Sequence, residues 1–238
     1  MAKKYNRFYR LYWILILAVS AFLGVFASSA SGMGKDPVPI LIIWLLAVAA
    51  GTILMEIIFA DKTNRRMAEL MPLLETDPER YARELTAELE GHRKALYRET
   101  LKINLAAAGI RMKDYKKALS LLESVNVKKV TGPGIPVYWT DYVLALFYNE
   151  KGEAAEKVLE EHRAVFEKAS SMEGLSRYMD AIEAFRPAFA GNFDTAREKM
   201  RAARGKWGDA LKSEAAFLED YIKRQEAPAP SPEEGPEE

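Results

Sequence analysis

Apolar residues follow two regimes along this chain, which change near residue 60. From Leu11 to Ala30 the segment LYWILILAVSAFLGVFASSA carries no charge, and from Val38 to Ala60 a second apolar run carries one ionisable residue, Glu56, near its far end. At about 1.5 Å per helical residue each run matches a hydrocarbon core of roughly 30 Å, so transmembrane helices are predicted at about 11–30 and 38–60. The connector SGMGKDP is too short and too rich in Gly and Pro to hold a domain, which makes the two spans antiparallel neighbours in a hairpin over 11–60. Beyond it, apolar residues recur at three- and four-residue spacing, with hardly any alternation of period two. The fold class is therefore expected to be all-α, a transmembrane hairpin followed by one helical domain over 61–225.

Turn signals divide that second part. Asp77 before Pro78 is an acidic N-cap followed by a proline suited to the first helical position. Helices are predicted near 62–75, 78–90, 92–110, 114–125, 137–150, 153–169, 174–190, 193–204 and 207–224. The breaks fall at Asp114, the segment GPGIP (132–136), Gly152, Gly191 and Gly205.

Net charge is uninformative, because 34 basic and 34 acidic residues average over unlike segments; their placement tells more. Lys3, Lys4, Arg7 and Arg10 lie in the basic stretch 1–10 and Lys62, Arg65 and Arg66 follow the second span, whereas the connector offers only Lys35 beside Asp36. An excess of basic residues marks the cytoplasmic side, so both ends are expected in the cytoplasm, with the chain integral to a plasma or inner membrane. A second reading takes residues 1–30 as a cleaved secretory signal, whose small-residue cluster is ASSASG; the apolar stretch is longer than such signals have, and either way the helical domain stays cytoplasmic. Glu56 is expected at the headgroups, and Tyr9, Tyr12 and Trp13 in an aromatic belt. Ser20, Gly24 and Ser28 on one span, and Ala47 and Gly51 on the other, give each a narrow side for hairpin packing or, alternatively, self-association.

One pattern returns three times: KDYKKALSLLESV at 113–125, GEAAEKVLEEH at 152–162 and GNFDTAREKMRAA at 191–203. Each is a turn followed by a helix with a small residue near its start (Ala118, Ala155, Ala196) and a larger apolar residue four positions on (Leu122, Leu159, Met200). A small residue lets a neighbouring helix approach and the larger one fills the space a turn later. On these stretches, above all LAAAGIRMKDYKKAL and FAGNFDTAREKMRAA, the chain resembles the tetratricopeptide repeat family. Its spacings of 37 and 41 residues are longer than the family's period of about 34. The resemblance implies stacked antiparallel helix pairs, a concave face made by the first helix of each pair, and a protein or peptide partner. It places Arg111, Tyr148 and Phe189, each seven residues before its small residue, as inward-facing partner-binding positions. Read from the residues alone, Tyr148 and Phe189 are equally ordinary core aromatics.

The chemistry of an enzyme is not evident. With no cysteine there is neither a disulfide nor a thiolate, and His92 and His162 have no second ligand at metal spacing. No serine sits in a G-x-S-x-G elbow, and GPGIP lacks the Lys-Ser or Lys-Thr of a phosphate loop, which leaves it a connector. No catalytic, cofactor or metal residue is assigned. Basic clusters at Arg111, Lys113, Lys116 and Lys117, and at Arg197, Lys199, Arg201, Arg204 and Lys206, are not interleaved with stacking aromatics, so no nucleic-acid partner is expected; near a bilayer they suit anionic headgroups. Residues 226–238, EAPAPSPEEGPEE, are expected to form a disordered Pro/Glu-rich tail. The expected function is that of a membrane-anchored cytoplasmic adaptor or scaffold for a peptide or partner protein. The alternative is an accessory subunit of a membrane complex, such as a transporter or export system, assembled through the hairpin.

Overall fold

A computed structural model describes residues 2–32, 38–91 and 95–227. The expectations for the connector with Lys35 and Asp36, for His92 and for the segment from Pro228 onward lie outside those residues. So do the side chains of Lys3, Lys4, Arg7, Tyr9, Arg10, Glu56 and Lys62. The described chain is all-α, with eleven α-helices, two short 3-10 turns and no strand. It divides into two compact units, Met1–Arg93 and Lys94–Glu238.

The first unit holds α1 (Ala2–Gly32), α2 (Val38–Thr76) and α3 (Pro78–Gly91). The expected boundary at 60/61 falls inside α2, which runs on through the separate helix expected at 62–75. No Gly or Pro occurs between Thr52 and Met71, so nothing interrupts the helical hydrogen bonds there. The helix closes where expected. Asp77 accepts the Arg80 amide at 2.9 Å, and Pro78 opens α3. Arg66 ties the two helices together, 2.8 Å from Glu84 and 3.8 Å from Glu88. In the apolar part, the Tyr12 hydroxyl of α1 lies 3.1 Å from Thr52 Oγ1 of α2, and Trp44 donates to Ser20 Oγ at 3.2 Å. Tyr12, expected from the sequence in an aromatic belt, thus reaches across to α2.

The second unit contains α4 (Ala95–Arg111), α5 (Tyr115–Glu123), α6 (Gly134–Tyr148), α7 (Gly152–Glu161), α8 (Arg163–Ser170), α9 (Ser176–Phe189), α10 (Phe193–Trp207) and α11 (Lys212–Glu226). Helices α4 and α5, α6 and α7, and α9 and α10 form packed hairpins; α4, α6 and α9 adjoin one another in that order, while α5 touches α6, α7 touches α9 and α10 touches α11. α6, apolar around almost its whole circumference, is the central helix, which suits its buried run from Val143 to Tyr148.

All three hairpins turn by one backbone device. Lys113, Glu150 and Gly191 adopt positive φ of 60°, 58° and 80°. Each donates its amide to a carbonyl three residues back, and the next residue (Asp114, Lys151, Asn192) donates to one five residues back, the hydrogen-bond signature of a Schellman helix end. Two residues after each positive-φ position the second helix begins. Three further on stands a fully buried alanine, Ala118, Ala155 or Ala196. The small residues do allow close approach: Ala118 Cβ lies where a side chain at Gly109 would be 3.2 Å away. Gly152 is the tightest point, since a Cβ there would fall 2.6 Å from the Phe189 ring.

Three boundaries differ from expectation. Gly205 lies within α10, and the break comes at Gly208, whose φ of 58° ends the helix after Trp207 donates its indole N–H to Asp180 at 2.6 Å. The helix expected at 153–169 is two, α7 and α8, divided at His162, whose ring stacks on Trp139 at 3.6 Å. GPGIP is only partly connector, because Gly134, Ile135 and Pro136 form the first turn of α6, where a proline removes no helical hydrogen bond.

Two substitutions test this geometry by denaturation monitored through circular dichroism. Gly152→Ala is expected to destabilise by about 1–3 kcal/mol through overpacking against Phe189, with partial recovery in the double variant Gly152→Ala/Phe189→Leu. Lys113→Gly is expected to stabilise by up to about 1 kcal/mol, because glycine enters the left-handed region without the penalty of a Cβ.

Candidate functional site

The three positions marked in the sequence lie at the ends of α4, α6 and α9 in the second unit, and two of them pack against α11. Arg111, the last residue of α4, donates to the Tyr178 hydroxyl of α9 at 3.0 Å; Arg177 donates to the same oxygen at 2.7 Å. Tyr148 is buried at the end of α6. It stacks on Tyr115 with centroids 4.5 Å apart and planes at 8°, and meets Phe217 of α11 edge-on at 4.7 Å. Phe189, half-buried at the end of α9, stacks on Tyr221 of α11 at 4.2 Å. At Tyr148 and Phe189 the face expected to hold a partner's side chains therefore carries Phe217 and Tyr221 of α11.

The position of α11 is explained by its register. Leu211, Glu214, Leu218, Tyr221 and Ile222 recur every three or four residues and are all buried, so one stripe of the helix faces inward. Glu214, only 2 % exposed, occupies a core position of that stripe. Burial raises the ionisation point of the Tyr115 and Tyr148 hydroxyls, and the Glu214 carboxylate adds to the rise in both. The outer edge of α11 is held by ions: Arg224 lies 2.6 Å from Glu150, the positive-φ residue of the α6–α7 turn, and Arg197 of α10 bonds Glu226 at 3.0 and 2.8 Å.

Asp141 was not among the positions marked in the sequence. It lies in the middle of α6, and burial pushes its carboxyl up to about 7, against the opposing pull of the Arg111 charge. A lone acid in the apolar stretch GIPVYWTDYVLALFY was the available signal, since a buried carboxylate is costly unless partnered or protonated. Thr140 beside it is also fully buried, its hydroxyl without a hydrogen-bond partner among the described residues.

Two open clefts flank these elements. One, of about 440 Å³, lies among α7, α9 and α10, where Arg186 grips Glu156 through two nitrogens and also reaches Glu183, itself 3.1 Å from Lys199. The other, of about 610 Å³, runs between α10 and α11 and is rimmed by arginines over a floor of Met200 and Leu218. Among the described residues no three His, Asp or Glu side chains converge as ligands for a metal ion. His162 is engaged by Trp139. In comparison with known proteins the chain matches no family model, no curated protein and no solved structure.

The buried Asp141 generates a pH dependence. Its folded-state proton is held more tightly than in the unfolded chain, so the folded protein binds more protons between about pH 4 and 7, and stability falls as pH rises through that window. Asp141→Asn is expected to be more stable than the parent at pH 8, on the order of a few kcal/mol, with the advantage shrinking towards pH 4. Parallel stability profiles for the two proteins across this range would remove Asp141 as the source.

Proposed function

We propose that this chain is a membrane-anchored adaptor: a transmembrane hairpin formed by α1 and the first part of α2 holds the helical second unit on the cytoplasmic side, where it engages a protein or peptide partner. The observation that carries the anchoring is the outer surface of these helices. Ile14, Leu15, Leu17, Phe22 and Val25 on α1, and Ile43, Leu45, Leu46 and Ile53 on α2, are each more than half exposed, a continuous apolar surface suited to lipid and unsuited to water. Within the described residues Leu11–Ser29 is long and apolar enough to cross a membrane; the apolar stretch of α2, Leu41–Met55, is shorter. Pairing as a hairpin is supported by the Tyr12–Thr52 and Trp44–Ser20 contacts, which satisfy polar groups within an apolar environment. Tetratricopeptide-like stacking is supported by the three equivalent turns and by the order in which the helix pairs adjoin. In this reading partner contact falls on surfaces that α11 leaves open, and Arg111 is the inward-facing candidate that keeps a charge.

An accessory subunit assembled through the hairpin is the second reading, and one observation favours it. Among the described residues Gly24 has nothing within 4 Å of where its side chain would be, and Ser28 is exposed, so two of the three small residues in the stripe on α1 are not used by α2.

Cross-linking pull-down from native membranes separates the two, comparing the full chain with a form whose residues 11–60 are replaced by an unrelated transmembrane hairpin. The adaptor predicts that the same proteins are recovered by both; their loss from the exchanged form transfers the function to the hairpin. Orientation is measured in the same cells with an impermeant maleimide. The chain has no cysteine, so Gly34→Cys is expected to label from outside and Ser213→Cys only after permeabilisation.

A further inference from the structure

The sequence presents Arg197, Lys199, Arg201, Arg204 and Lys206 as one basic cluster, but α10 distributes them unequally. Lys199 lies 3.1 Å from Glu183, and Lys206 lies 3.0 Å from Asp180 and stands over the Trp207 ring at 4.6 Å. Arg197 is bound by Glu226 and by Glu219 at 3.6 Å. Arg201 and Arg204, with Lys212 from the start of α11, are exposed and make no ion pair among the described residues, and all three line the groove of about 610 Å³ between α10 and α11. The floor is apolar, with Met200 and Leu218. Three uncompensated cations over an apolar strip form a site for an extended acidic peptide, in which carboxylates meet the rim and short apolar residues the floor.

The chain carries such a peptide next to the groove. α11 ends at Glu226, whose carboxylate is held by Arg197 at the groove's own edge. The residues beyond it include Glu233, Glu234, Glu237 and Glu238, the first of them separated from Glu226 by Ala, Pro and Ser231. Six residues from Ala227 reach up to about 20 Å, whereas Arg197 and Arg204 are about 10 Å apart along α10, so the first glutamate pair reaches Arg201 and Arg204; Lys212, about 21 Å from Glu226 along α11, is within reach of the second pair, Glu237 and Glu238. We propose that the α10/α11 groove is an acidic-peptide site and that residues 228–238 of this same chain occupy it. The segment then competes in cis with any acidic partner peptide at that groove.

The test is a distance measurement in the full-length protein in nanodiscs of zwitterionic lipid, with nitroxides at Ser213→Cys and Ser231→Cys in the cysteine-free background, read by pulsed electron resonance. A dominant short-distance population is expected. It is lost on replacing Glu233, Glu234, Glu237 and Glu238 by glutamine, lost in Arg201→Glu/Arg204→Glu/Lys212→Glu, and lost in about 1 M salt, where screening acts within about 3 Å. The glutamine form leaves all helices unaltered, so its result stands even if charge reversal disturbs folding. A broad distribution that none of these changes alters overturns the proposal. So does a charge-reversed protein that keeps its distances but no longer binds phosphatidylserine vesicles, which would make the groove a lipid contact.

Discussion

A helix ends compactly when one residue of its turn enters the left-handed region of backbone space, and the three hairpins of the second unit turn in this way at Lys113, Glu150 and Gly191. Two of these are not glycine. Lysine and glutamate there carry the penalty of a Cβ in that region, which the paired backbone hydrogen bonds and the burial of Ala118 and Ala155 behind the turn must offset. Because the three turns are alike, the helices leaving them present their small residues at equivalent places. α5, α7 and α10 in turn each touch the element that follows their pair, α6, α9 and α11.

The helices were legible where local chemistry decides them. Asp77 with Pro78, and the starts after Asp114, Lys151 and Asn192, are set by caps and turns within a few residues, so the pattern of the chain locates them closely. Gly205 misleads for a physical reason: a glycine weakens a helix by about 1 kcal/mol, which tertiary contacts such as Trp207 with Asp180 outweigh, whereas Gly208 stops it by conformation. The divide at His162 is tertiary as well, since the stacking partner, Trp139, lies in another helix. The candidate positions were legible only by spacing. Spacing marked Tyr148 and Phe189 as facing inward, but it says nothing about what comes to cover them, and the covering residues Phe217 and Tyr221 are 69 and 32 positions further along. Asp141 was legible only as a lone acid in an apolar stretch; spacing does not say whether such an acid faces solvent or the interior, which its burial decides.

In the first unit the polar pairs carry information that hydropathy does not. On the proposed membrane reading, an apolar helix in lipid gains little from burying leucine against leucine, so the side on which it meets a neighbour is set by small and polar residues. Ser20 with Trp44, and Tyr12 with Thr52, lie eight residues apart on both helices, about two turns, and so define one seam between them.

Phe217 has a further consequence for how the second unit comes apart. A linear series of helix pairs in which each touches only its neighbours loosens from its ends, one pair at a time. Here Phe217 of α11 lies 5.9 Å from the ring of Tyr115 at the start of α5, and meets Tyr148 and Phe185 on the way. One aromatic side chain thus touches a helix from each of the three pairs, so the last helix of the series is tied to the first pair as well as to its own neighbour.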